Sequence, residues 1–137
     1  ARYQTTTNNK QRMEYLEDAV THARHAVAVE YHPFPLTTLG KVLLSHMLAP
    51  GASMRNSFDE AFGRLSEAID IEERRHRLAP QPYGVIFSGV LSYLSAGGQM
   101  DHDQLACLRG ILAKASAKFG NDREMQQQVL TVKQVLI

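Results

Sequence analysis

Apolar positions along this chain recur at steps of three and four, and proline-, glycine- or serine-rich breaks cut the pattern into six segments. Such steps place side chains on one face of an α-helix. The best-formed segment is Ser57–Glu72, with the stripe Phe58, Ala61, Phe62, Leu65, Ala68 and Ile69. Its first residues, Ser57-x-x-Glu60, read as a capping box, so a helix is expected to start at Ser57. It is expected to end near Arg77, where the run Arg74-Arg75-His76-Arg77 suits the negative end of the helix dipole.

The other segments follow the same logic. Residues 1–9, rich in Thr and Asn, read as a linker or frayed entry, and residues 10–137 as one helical domain. A helix is expected from about Lys10 to Tyr31 on the stripe Met13, Leu16, Ala19 or Val20, Ala23, and Ala26 or Val27. Pro33-Phe34-Pro35 ends it, because neither proline can donate to a helical ladder. A shorter helix, about Leu36–Leu48, presents Leu36, Leu39, Leu43 and Met47, and Pro50-Gly51-Ala52-Ser53 is a turn. After Pro80-Gln81-Pro82, the stretch Tyr83–Ala96 could be a strand by β-branched content; its length favours a buried helix stopped by Gly97-Gly98. Asp101 and Gln104 form a capping box for a fifth helix with the stripe Leu105, Leu108, Leu112, Ala115 and Phe119, and Gly120 suits a C′ position. Met125, Val129, Val132 and Leu136 mark a sixth helix, about Asp122–Leu136. The expected fold class is therefore all-α, about six helices and no strand.

A repeat is suggested by small residues seven apart on the long helices: Ala19/Ala26, Ala61/Ala68 and Ala106/Ala113, offset by 42 and 45 residues. Small residues let a neighbouring helix come close. Each short helix also holds a glycine, Gly40 or Gly89, at similar depth. Glycine inside a helix costs about 1 kcal/mol against alanine, and a close crossing is a reason to keep it.

On these residues the chain resembles the tetratricopeptide-repeat (TPR) family. Leu36, Leu39, Gly40 and Leu43 match that family's helix A; Ala61, Leu65 and Ala68 match its helix B, with Pro80 closing late. Ala19, Ala26 and Pro33 look like an earlier helix B, and Val85, Gly89, Ala106 and Ala113 like a third, weaker copy with Ser88 where leucine is usual. The spacing exceeds the family period of about 34. The resemblance implies antiparallel helix pairs stacked as a TPR-like α-solenoid, and a protein- or peptide-interaction module, scaffold or sensor, of a larger intracellular protein such as a signalling protein. It implies a partner groove lined by Thr37, Lys41, Leu44, Ile86, Val90 and Tyr93. Only Lys41 stands where some members clamp a peptide carboxylate, so no such clamp is expected. Further repeats or domains are expected at both ends, one of them covering Val135–Ile137.

Composition narrows the alternatives. With 137 residues, 44% of them hydrophobic and 21% charged, the chain can bury a core without staples. A formal net charge of +1 gives no general polyanion binder. Cys107 is the sole cysteine, which excludes an internal disulfide and leads to the expectation of a reducing, cytoplasmic setting; its place beside Leu105 and Leu108 suggests a buried thiol. No apolar run reaches the length of a membrane span.

Candidate chemistry is sparse. His22 and His25 share a face, and Glu73-x-x-His76 has the spacing used in di-metal bundles. Those four residues define a second reading, a metal-binding helical bundle or enzyme, although the motif occurs only once. Arg64, Arg74, Arg75 and Arg77 define a third, nucleic-acid binding through Arg64–Arg77. No nucleophile elbow or P-loop occurs. No catalytic residue, cofactor or metal ligand is therefore assigned, and an enzyme is the weaker expectation.

Overall fold

The computed structural model describes residues 2–49 and 51–136, with side chains from residue 10 onward. Six helices follow in order: α1 (Arg2–Val29), α2 (Pro33–Met47), α3 (Met54–Arg74), α4 (Gln81–Ser95), α5 (His102–Lys118) and α6 (Arg123–Val135). The described residues contain no strand, and no helix among them is long and apolar enough to cross a membrane.

α3 is the central element because it carries two apolar faces. Phe58, Phe62, Leu65 and Ile69 belong to a core shared with α4, α5 and α6, while Ala61, Ala68 and Ile71 belong to a core with α1 and α2. Bulk on one face and alanine on the other let α1 and α2 come close on the small side while aromatic rings fill the other. Phe58 stacks on Tyr93, with ring centroids 3.9 Å apart and planes 3° from parallel.

Polar cross-links put the odd-numbered helices in one layer. Arg24 pairs with Glu60, and the Tyr31 hydroxyl donates to Glu67. Gln104 donates to Asp59 at 2.7 Å, and Lys114 pairs with Glu73 at 2.7 Å. In each set the partners advance together, so α1, α3 and α5 run in the same direction. The even helices form the second layer, α2 against α4 and α4 against α6. Gly40 of α2 faces Leu65, and Gly89 of α4 faces Leu44; a Cβ on either glycine would stand 2.6 Å from a leucine carbon. Both short-helix glycines therefore sit at close crossings, as expected.

Several expectations need correction. α3 starts at Met54, one turn before Ser57: Ser53 is the N-cap, accepting from the Asn56 amide at 3.3 Å, and Ser57 lies buried inside the helix. The Ser57/Glu60 pattern matched a capping box by spacing alone, and Glu60 is instead drawn to Arg24. Helix α1 extends through the stretch read as a linker, because a helix nucleated by its packed half gains one hydrogen bond per residue added. Gly120 is not left-handed. The left-handed caps fall at Gly97 after α4 and at His76 after α3, each with the paired amide bonds of a Schellman motif: Gly97 to Leu94 and Gly98 to Tyr93, His76 to Glu73 and Arg77 to Glu72.

The alanine repeat is corrected too. Ala61 and Ala68 are fully buried, but Ala26, Ala106 and Ala113 are exposed. α1 uses Val20, Ala23 and Val27, and α5 uses Leu108, Ile111, Leu112 and Ala115. Both Arg24–Glu60 and Tyr31–Glu67 are separated by 36 residues, so α1 and α3 are matched at that offset and not at 42. Cys107 is exposed, about one helical step off the Leu108 face, with its sulfur 3.8 Å from the Ser66 hydroxyl.

Candidate functional site

The short helices α2 and α4 enclose a groove of about 880 Å³. Its α2 wall is Thr37, Thr38, Lys41, Leu44 and Ser45, one face of a helix by the steps between them. Its α4 wall is Gln81, Gly84, Val85, Ser88, Gly89 and Ser92. His32, Pro33 and Phe34 border it at the start of α2, and Glu72 and Ala79 come from the α3–α4 junction. Gln128 reaches in from α6, its amide nitrogen 3.4 Å from the Ser88 hydroxyl.

Local sequence explains each wall. His32 caps α2: its Nδ1 accepts from the Phe34 amide at 3.3 Å, which leaves the ring proton on Nε2. Proline at position 33 then starts the helix, where its missing amide is harmless. Thr37 is buried, and its hydroxyl is satisfied by donating to the Pro33 carbonyl at 2.6 Å. Gly89 allows Leu44 to lie directly against the α4 backbone, bringing the two walls close.

Of the six groove residues expected from sequence, Thr37, Lys41 and Leu44 line this groove. Ile86, Val90 and Tyr93 do not; they are buried in the core with Phe58 and Leu65. The correction is about one residue along the helix, from Ile86 to Val85 and from Val90 and Tyr93 to Ser88, Gly89 and Ser92. The signal was present, since Ser88 and Ser92 mark the polar face of an otherwise apolar helix.

Glu72 lines the groove as well, although the sequence pattern does not assign it there. Residues 58, 65 and 72 are spaced by heptads, so Glu72 falls on the stripe of Phe58 and Leu65, where an acid is out of place. It is 6% exposed and is the single buried charged residue among those described.

The four residues of the metal reading are not assembled. Among the described residues no group of three or more His, Cys, Asp or Glu is placed to hold an ion. Glu73 instead accepts from Lys114, with Lys118 at 3.9 Å. That hydrogen bond holds the Glu73 carboxyl below its ordinary range and raises Lys114 above its own. His76 is occupied in the α3 cap, and His22 and His25 are exposed on α1. Of the arginines, Arg64 pairs with Glu67 at 3.2 Å and Arg74 donates to the Asp70 carbonyl at 3.4 Å, while Arg75 and Arg77 are exposed at the end of α3.

Comparison with family models, curated proteins and solved structures gives no match.

Proposed function

We propose that this chain is a protein- or peptide-interaction module built as a TPR-like stack of helix pairs, serving a larger protein as scaffold or sensor. The observation that carries the reading is the groove between α2 and α4, two helices of one layer, open and lined by side chains that can bond an extended chain. Hydroxyls at Thr38, Ser45, Ser88 and Ser92 and amides at Gln81 and Gln128 can satisfy a peptide backbone, while Leu44 and Val85 supply apolar contact.

Three features support the repeat. The odd and even helices separate into two layers, glycines mark the close crossings of α2 on α3 and of α4 on α2, and the 36-residue offset between α1 and α3 lies near the family period of about 34.

Selection of a random-peptide display library against the purified chain tests the proposal. Selected peptides should bind the parent chain and lose binding to Ser88→Trp, whose indole would fill the groove, and should weaken on Lys41→Ala. Circular dichroism checks that both variants keep their helices. Peptides that bind Ser88→Trp as well as the parent would place recognition elsewhere and refute the groove.

A further inference from the structure

We propose that Glu72 is the anchor for a lysine or arginine side chain of the peptide that occupies the α2–α4 groove. The inference rests on the groove being the peptide site, and it names what distinguishes one peptide from another there.

The argument starts from an unsettled charge. Glu72 is 6% exposed and lines the groove, yet its side chain has no hydrogen bond or ion pair with any described residue. A buried carboxylate without a partner is costly, and such groups are normally paired. The nearby basic residues do not supply the partner. Arg74 donates to the Asp70 carbonyl, and no ion pair within 4.0 Å joins Glu72 to Lys41 across the groove. The carboxylate oxygens are not fully sealed either, since the one sealed and unpaired side-chain atom among the described residues is Nε2 of His46. Glu72 thus keeps an opening, and the groove it lines is where an incoming donor can reach it.

The chemistry of the surroundings selects the donor. A metal ion would need several oxygen or nitrogen ligands, and no such group is assembled among the described residues. A lysine or arginine side chain needs one carboxylate for its head and an apolar path for its stem. Pro33, Pro82 and Val85 line the same groove as Glu72 and offer apolar surface for such a stem, and Phe34, which also lines it and is 75% exposed, offers a face for a neighbouring residue.

The peptide selection described above, followed by a double-mutant cycle, tests the inference. Selected peptides should share one lysine or arginine. Replacing it by methionine should weaken binding to the parent chain by about tenfold to a hundredfold, as for a charge-assisted bond. The same replacement should have little effect on binding to Glu72→Gln. Groove-dependent peptides with no shared basic residue, or an equal loss in parent and Glu72→Gln, would overturn the Glu72 anchor and leave the groove standing. Peptides indifferent to Ser88→Trp, or recovery of none, would overturn the groove and the anchor with it. The peptide-side replacement needs no protein variant, so the anchor stays testable even if Glu72→Gln folds poorly.

Discussion

Gly89 of α4 lies so close to Leu44 of α2 that a Cβ added to it would stand 2.6 Å from one Leu44 methyl and 2.8 Å from the other. Gly40 stands in the same relation to Leu65, 2.6 Å from its Cγ. The two leucines differ in freedom. Leu65 is fully buried in the core, whereas Leu44 is half-buried at the groove. Gly40→Ala should therefore destabilise the fold by about 1–2 kcal/mol, overpacking outweighing the helix-propensity gain of about 1 kcal/mol. Gly89→Ala should be close to neutral, with Leu44 swinging into the groove. Urea unfolding of both variants checks the order, and a Gly89→Ala variant less stable than Gly40→Ala would refute it.

His76 closes α3 with φ of 55°, the one positive value at a non-glycine residue among those described. Left-handed backbone costs a residue with a Cβ about 1–2 kcal/mol, and glycine escapes that while adding entropy to the unfolded chain. His76→Gly should raise stability by about 0.5–1 kcal/mol. Thermal unfolding that is unchanged or earlier would show that the imidazole contributes something the cap geometry does not account for.

Ser53 and Ser57 compete, by sequence, for the start of α3. With Ser53 as the true cap, Ser53→Ala should lose about 1 kcal/mol. Ser57→Ala should lose less, because Ser57 lies inside the helix with its amide bonded to the Ser53 carbonyl. Denaturant midpoints for the two variants decide between them.

Glu73 titrates below its ordinary range because Lys114 donates to it. A depressed carboxyl contributes stability above its unfolded value, about pH 4.3, and loses it as the pH falls through the folded value. Lys114 is shifted upward, so its contribution is present below about pH 10.4 and is lost as the pH rises through its folded value. Both side chains are partly exposed, so the effect on stability is small. Lys114→Met should move the Glu73 midpoint upward in an NMR carboxyl titration. A midpoint that stays put would mean that another group holds it.

Helix count, helix order and most of the core were legible in the chain itself. The stripes of α2, α3 and α6 are almost entirely the buried residues of those helices, because a helix's own periodicity decides which side chains share a face. The Asp101/Gln104 capping box was legible for the same reason, being made within one turn. Gly40 and Gly89 were recognised as crossing points because glycine inside a helix is costly without a neighbour to accommodate.

Tertiary packing decided the rest. Ala106 and Ala113 match Ala61 and Ala68 in spacing, but sequence spacing does not say which face of α5 meets a neighbour, and Leu108 and Ala115 took that place. Ser88 and Ser92 mark the polar face of α4 in the sequence, but whether Val85 or Ile86 lies beside it was settled only by the packing of α2 and α6 on α4, since a rotation of about 100° per residue carries a side chain from core to groove. Glu72 shows the limit most directly. Its place on an apolar stripe could be read from the sequence, but its burial and its place in a groove shared with α2 and α4 are relationships between elements that no local pattern encodes.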